Sequence, residues 1–318
     1  MLENSAIFDK MNQLGSQRIP FFFMIDFLKE KGEVIPLSEL SDEIQFHIHE
    51  KISPKDLEVE LTKHPITFTE YETQFRFVQE NILRGNSFLT NLTCATPIEL
   101  NLSLEEIFNY SRAKYKLYYR NHFVCFSPET FVKIEEGKIY SHPMKGTIDA
   151  SIENAEEIIL ADQKEKAEHY TIVDLIRNDL SKVAKKVTVD RFRYIEEIQT
   201  SEKKLLQVSS EISGELPADY QDQLGTIFEA LLPAGSICGA PKEKTVEIIL
   251  KAESYDRNFY TGVFGVYDGK KVDSAVMIRF IEQNDQGFLF KSGGGITHQS
   301  QAKDEYNEMI DKVYVPIN

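Results

Sequence analysis

The chain has 318 residues, 42% of them hydrophobic and 27% charged, which is enough apolar material for a sizeable core and argues against disorder. Its formal net charge of −15, with no long lysine or arginine run, leaves no basic patch for nucleic acid or an anionic membrane surface, so neither is expected as a partner. The three cysteines, Cys94, Cys125 and Cys238, lack C-x-x-C spacing, which fits neither a disulfide framework nor a zinc site and points to a reducing cytoplasm.

Residues 1–66 combine one apolar run, Ile19 to Ile25, with charged turns such as Lys29-Glu30-Lys31-Gly32-Glu33, and predict a short strand-rich N-terminal lobe. The apolar run is too short to span a bilayer, and no signal-peptide pattern is present. Residues 67–318 then read as the catalytic region, continuous with that lobe. Tyr71, Phe75, Val78 and Ile82 fall at helical spacing, and Gly85-Asn86 supplies the stop. A strand from Ser87 to Thr93 and a short helix from Leu104 to Tyr110 follow.

Phe123 to Ile134 alternates as a single strand, and the turn Glu135-Glu136-Gly137-Lys138 fits a hairpin to Ser141-His142-Pro143-Met144-Lys145-Gly146-Thr147-Ile148-Asp149. Such a hairpin places Glu129 and Lys145 on neighbouring strands. Ile152 to Ala184 is mostly helical by pattern. Within it, Ile172 to Leu180 is an apolar stripe interrupted by Asp174, Arg177 and Asp179, charges that need partners if they are buried. A strand spans Leu205 to Glu211, and an amphipathic helix from Asp219 to Leu232 stops at Pro233. The segment Gly235-Ser236-Ile237-Cys238-Gly239-Ala240-Pro241-Lys242 leads into a helix ending near Ala252 and suggests backbone N–H groups presented to an anion. Antiparallel strands over Phe259 to Tyr267, Lys271 to Glu282 and Gly287 to Lys291 complete the pattern, before a last helix from Gln301 to Val313. The glycines of Ser292-Gly293-Gly294-Gly295-Ile296 let a ligand approach the backbone closely, and they match no dinucleotide fingerprint.

Three features carry chemistry. A lysine flanked by proline and glycine is commonly a solvated loop residue; the sharper reading of Lys145 is a desolvated nucleophilic amine with a lowered pKa. Near pH 7 only about one in a thousand ordinary lysines is unprotonated, so nucleophilic use requires that lowering. Glu165 with Glu168, and Glu305 with Glu308, each lie three residues apart on a helix face. Either pair alone reads as solvated surface. Together, with no Cys/His cluster, they supply the hard oxygens of a Mg²⁺ site.

In their order along the chain, Met144-Lys145-Gly146-Thr147, Glu168-His169 with Ile172 to Leu180, Gly235 to Lys242, Gly293 to Ile296 and the Glu305/Glu308 helix resemble the chorismate-utilising enzymes. That group includes anthranilate synthase component I, aminodeoxychorismate synthase component I and the isochorismate and salicylate synthases. The resemblance covers about residues 70 to 315 and implies an α+β fold of two packed antiparallel β-sheets flanked by helices. The Pro-x-Lys-Gly-Thr segment looks like that of aminodeoxychorismate synthase component I, because the anthranilate enzymes carry a small residue where Lys145 stands. The resemblance therefore implies Mg²⁺-dependent amination of chorismate to 4-amino-4-deoxychorismate, in para-aminobenzoate and folate biosynthesis. Anthranilate synthase component I is the alternative, and a subunit that binds without catalysis is a third reading.

The same resemblance gives the residues their roles. Glu168 and Glu308 hold the metal directly and Glu165 and Glu305 act through water, while Lys145 is the nucleophile and Glu129, in Ser-Pro-Glu, the general acid/base. Thr147, Gly239, Ala240, Pro241, Lys242, Tyr260, Arg279, Gly293, Gly295 and Lys312 contact the substrate or close over it. Gln207 stands where relatives carry a histidine, and Leu89 where isochorismate-forming relatives carry a water-activating lysine, which disfavours water attack. The chain contains no glutaminase segment, so ammonia is expected from a separate glutamine amidotransferase subunit.

Overall fold

Phe21 to Ile25 is buried on both faces, which is why it reads as an unbroken apolar run rather than an alternating one. Phe21, Phe23 and Ile25 pack into a core shared with the outer helices; Phe22 and Met24 face a second core with Tyr115, Leu117, Phe264 and Phe280. The computed structural model describes residues 1–50, 57–199 and 204–317. Among them, ten strands form one antiparallel sheet and eight a second, with helices flanking both, an α+β arrangement as expected.

The strands of residues 1–66 lie within these same sheets. Phe21–Ile25 pairs with Val263–Tyr267 in the ten-stranded sheet, and Ile44–Ile48 pairs with Tyr115–Tyr119 in the eight-stranded one. The region also contains a twelve-residue helix, Ser5–Ser16, absent from the sequence reading. Its apolar side chains Ile7, Phe8, Met11 and Leu14 are spaced three and four apart and meet Leu224, Ile227 and Phe228 of the helix Leu224–Leu231 in one core. Other expected helices form close to their predicted limits. Phe68–Leu83 buries Tyr71, Phe75, Val78 and Ile82, and both it and Leu104–Tyr110 start with capping boxes, Thr67 with Glu70 and Ser103 with Glu106.

Two segments read as single strands are each divided between the sheets. Phe123–Ser127 belongs to the eight-stranded sheet and Thr130–Glu135 to the ten-stranded one, with Ser127-Pro128-Glu129 as the crossover. Val272–Val276 and Phe280–Asn284 divide in the same way, with Arg279 in a left-handed conformation at φ 54°. Alternation reports burial on one face of a strand but not which sheet the strand joins, so the sequence pattern ran through both corners. The corners lie side by side: the Phe126 N–H donates to the Arg279 carbonyl at 3.1 Å, and the Val276 N–H to the Glu129 carbonyl at 3.2 Å.

The expected hairpin is half present. Thr130–Glu135 pairs with Lys138–Ser141, but Met144–Asp149 pairs with Lys204–Glu215, as Lys138–Ser141 also does. Residues 138–149 therefore run as one interrupted strand, and Glu129 and Lys145 do not lie on neighbouring strands. A fifteen-residue strand, Lys185–Gln199, missed in the sequence, pairs with Lys204–Glu215 as well.

Candidate active site

Beside the paired crossovers lies a cavity of about 350 Å³ lined by Glu129, Lys145, Gly146, Thr147, Glu165, Glu168, Gly239, Tyr260, Arg279, Gly293, Gly295, Glu305, Glu308 and Lys312. Gly294 lines it too, as do residues the sequence reading did not propose: Asn91, Ile172, Ser236 and Thr261. Ser236 stood within the glycine-rich segment already singled out, but Asn91 and Thr261 carried no local signal. Leu89 and Gln207, read from the sequence as departures from related enzymes, are in the wall.

Local geometry explains the glycine after Lys145. The strand register shifts between Lys145, opposite Val208, and Thr147, opposite Gln207, leaving Gly146 as an extra residue at φ 76°. A left-handed bulge suits glycine, and a Cβ here would lie 3.3 Å from Glu165 Oε2. The glycines of Gly287–Ile296 have a different reason. At Gly293 a Cβ would stand 2.2 Å from the Leu92 carbonyl oxygen, so the neighbouring strand itself forbids a side chain.

Three proposed substrate contacts, Ala240, Pro241 and Lys242, are not among the residues lining this cavity. Lys242 Nζ lies 2.7 Å from Asp179 Oδ2 and donates to the Leu231 carbonyl, outside the cavity lining. Ala240 pairs with Leu89, and Pro241 caps the helix Lys242–Ala252. The buried Asp179 carboxylate needs a cation, and Lys242 satisfies it from one helical turn beyond the glycines. Asp174 and Arg177 are exposed and pair with each other at 3.3 Å; of the three charges in that stripe only Asp179 is buried.

Arg279 and Lys312 line the same cavity. Arg279 Nε donates to the Tyr314 hydroxyl at 3.4 Å, and Lys312 Nζ donates to Glu308 Oε1 at 2.6 Å and to the Gly293 carbonyl at 2.8 Å. Two cations beside the glycine strand suit a small acid with more than one carboxylate. Behind this wall Arg257 forms a buried two-point pair with Glu253, at 2.8 and 2.6 Å. Its remaining donors reach the Ile237 and Asn91 carbonyls and the Thr261 hydroxyl, while Glu253 accepts from Thr93, the residue opposite Gly293. One buried ion pair thus ties together four segments around the site.

Lys145 Nζ donates to Glu168 Oε2 at 3.0 Å. Burial alone would lower the lysine pKa, but Glu168, through charge and hydrogen bond, and then Glu165 and Glu308, outweigh it and hold the amine above the ordinary lysine range. This corrects the expectation of a lowered value: without ligands, Lys145 is an ammonium because carboxylates surround it.

Glu129 behaves as anticipated for an acid. Burial raises its pKa, while a hydrogen bond with Ser236 Oγ and the charges of Lys145, Arg279 and Lys312 oppose the rise without reversing it. Above the ordinary carboxylate pKa the folded state therefore keeps a proton that the unfolded state loses, so this group's contribution to stability falls as pH rises into its raised range. Glu129→Gln is expected to melt like wild type well below pH 4.5 and to gain on it steadily above, in thermal melts across pH. A constant difference across pH would remove the case for a buried, protonated Glu129.

The four metal-candidate glutamates come from two helices. Gln163–Leu180 carries Glu165 and Glu168, and Ala302–Asp311 carries Glu305 and Glu308, all four lining the one cavity. A Cβ on Gly294 would lie 3.3 Å from Glu305 Oε2 and 3.4 Å from Glu308 Oε1, so that pair sits on the glycine strand. Among the described residues no three carboxylates, imidazoles or thiols converge into a preformed cage, and lysines occupy Glu168 and Glu308. The donor chemistry fits a hard divalent cation: four carboxylates on one cavity and no thiol or imidazole in its lining.

A cavity set where strands change sheets, with glycine walls and facing cations and carboxylates, defines an enzyme-type site for a small polar acid. The sequence profile of the chorismate binding enzymes matches residues 23–318, and the chain belongs to that family of enzymes acting on chorismate. A PabA-like protein of Haemophilus influenzae, itself named as uncharacterized, is 53% identical over 314 residues, spanning 97% of this chain and 96% of that protein. Anthranilate synthase component 1 of Aquifex aeolicus is 35% identical over 194 residues, 58% of this chain and 38% of that protein. The menaquinone-specific isochorismate synthase MenF of Escherichia coli shares the fold, with a TM-score of 0.74 at 15% identity over 95% of this chain and 79% of that one. Among the described residues no helix is long and apolar enough to cross a membrane.

Proposed function

We propose that the chain aminates chorismate to 4-amino-4-deoxychorismate with ammonia supplied by a separate glutamine amidotransferase. The observation that carries this reading is Lys145, an amine lining the same cavity as the acid Glu129. Anthranilate formation needs no such amine. Arg279 and Lys312 would bind the substrate carboxylates against the glycine strand, with Tyr260 closing one wall. Glu168 and Glu308, with Glu165 and Glu305 beside them, would hold Mg²⁺, which when bound supplies positive charge for the ring carboxylate.

In the first step the Lys145 ammonium, drawn off Glu168, loses a proton to solvent, and its nitrogen forms a bond to the ring as the C4–O bond breaks. The departing oxygen takes the Glu129 proton and leaves as water. The resulting carboxylate accepts the proton shed by the alkylated lysine. Ammonia then forms the C4–N bond while the lysine–ring bond breaks, and the proton released by the incoming nitrogen passes to the departing amine. The sum is chorismate plus ammonia giving aminated product plus water, with the enolpyruvyl group retained. Leu89 offers no base for water at the cavity wall, which favours a nitrogen nucleophile.

Incubating the purified chain with chorismate, Mg²⁺ and ammonium salt and weighing the product tests the reading. The expected product keeps the enolpyruvyl carbons; anthranilate with free pyruvate would assign the chain to the other branch. Activity should need ammonium at alkaline pH until an amidotransferase is added, after which glutamine becomes effective near neutrality. Efficient use of glutamine by this chain alone would rule out the partner.

A further inference from the structure

Asn91 reaches the active-site cavity from the strand Leu89–Leu100, and its amide is held one way round. Arg257, buried and committed to Glu253, directs one guanidinium nitrogen at both the Asn91 backbone carbonyl, at 2.8 Å, and the side-chain Oδ1, at 3.4 Å. A guanidinium has only donors to offer, so the amide turns its oxygen toward Arg257 and its NH2 group away. Among the described residues that NH2 group donates to nothing. Gly295, the partner of Asn91 across the ladder, has no side chain to cover it. A donor of fixed direction on a cavity wall, with no partner from the protein, is a binding group for an acceptor on the ligand.

From the reading that puts chorismate in this cavity, on which it rests, we infer that the Asn91 amide donates a hydrogen bond to the enolpyruvyl arm of the substrate. Alternation along the glycine strand decides which end of the substrate it meets. Gly293 and Gly295 share a face with Asn91, whereas a Cβ on Gly294 would point the other way, to Glu305 and Glu308. Asn91 and the metal-candidate glutamates of Ala302–Asp311 therefore stand on opposite faces of one strand. A ring carboxylate drawn to the glutamate side leaves the arm, with its ether oxygen and second carboxylate, to the Asn91 side. Tyr260 and Thr261 line that side too, and the Thr261 hydroxyl accepts from the same Arg257. Arg279 supplies charge for the arm's carboxylate; the amide adds a neutral donor whose direction is already set, so little freedom is lost when it bonds.

Two stable aromatic acids read this contact without turnover: a benzoate carrying a carboxyvinyl ether meta to its carboxylate, and the same benzoate with a hydroxyl in place of the ether. Calorimetry in the presence of Mg²⁺ gives the affinity of each for the wild-type chain, for Asn91→Ala and for Asn91→Asp. Asn91→Ala is expected to bind the ether about tenfold more weakly and the phenol within about twofold of wild type, with a wild-type melting curve as the check on folding. Asn91→Asp still offers Arg257 an oxygen but has no N–H for the ligand, so it should lose the ether at least as strongly. If Asn91 serves only to support Arg257, the aspartate variant binds the ether like wild type, and that result in a folded protein overturns the inference even should the alanine variant misfold. Wild-type ether affinity in Asn91→Ala overturns it as well, as does an equal loss for both acids. Failure of the underlying reading looks different. A wild-type chain that binds neither acid removes chorismate from this cavity, and the contact with it; one that binds both acids but forms no aminated product loses the amination step and keeps the contact.

Discussion

Lys145→Ala is expected to lose the covalent ring adduct and to lower turnover by about a thousandfold or more, in line with losses seen when a nucleophile is removed. The residue is ideally placed for the test, because its strand is fixed by pairing to Lys204–Glu215 and its direction by the Gly146 bulge. The resting Lys145–Glu168 pair adds a condition that the sequence did not suggest: the amine becomes nucleophilic only after Glu168 is drawn away or neutralised. Lys145→Arg should be no better than alanine, since a guanidinium stays protonated whatever happens to Glu168. Intact-protein mass spectrometry after rapid quench, with ammonia withheld, reads the adduct directly. If no added ring mass appears in wild type and Lys145→Ala turns over normally, the lysine is a binding residue and the distinction from anthranilate synthesis loses its main support.

Glu168→Gln and Glu308→Gln are each expected to reduce turnover by about a hundredfold or more while leaving the fold intact. An amide offers one neutral oxygen where a hard cation prefers a charged one, so the loss should appear as weakened Mg²⁺ binding in calorimetry. Stability should change little. The Lys145–Glu168 and Lys312–Glu308 pairs are partly solvated, and such pairs contribute about 1 kcal/mol or less. Glu168→Gln also frees Lys145 from its strongest carboxylate, so this variant separates two functions: chorismate adduct formation that survives at high Mg²⁺ would mean that Glu168 serves the metal and not the lysine. Near-wild-type turnover at ordinary Mg²⁺ in either variant would remove that glutamate from the ligand set.

Much of the site was legible in the sequence because its residues stand in short ordered motifs on regular elements. Glu165 with Glu168, and Glu305 with Glu308, needed only helical spacing to be read as pairs, and both helices are present. Lys145 and the glycine strand were found in the same way, as residue types whose local company is unusual. Lys242 pairs instead with Asp179, more than sixty residues earlier, outside the cavity lining, a partner its motif position does not reveal.

Composition and periodicity determined by themselves that this is a large acidic globular chain of mixed helices and antiparallel strands, and the motifs placed it among enzymes of chorismate. Those properties are local: hydrophobic period, capping boxes and residue spacing act within a few positions of each other. Tertiary structure alone decided that residues 123–135 and 272–284 each change sheets, and that Glu129 and Arg279 thereby meet at one corner. It also decided the charge state of Lys145. A lysine pKa is the balance of desolvation against every nearby charge, and here the carboxylates that tip it lie on two helices distant in sequence, brought to the amine only by the packing of the folded chain.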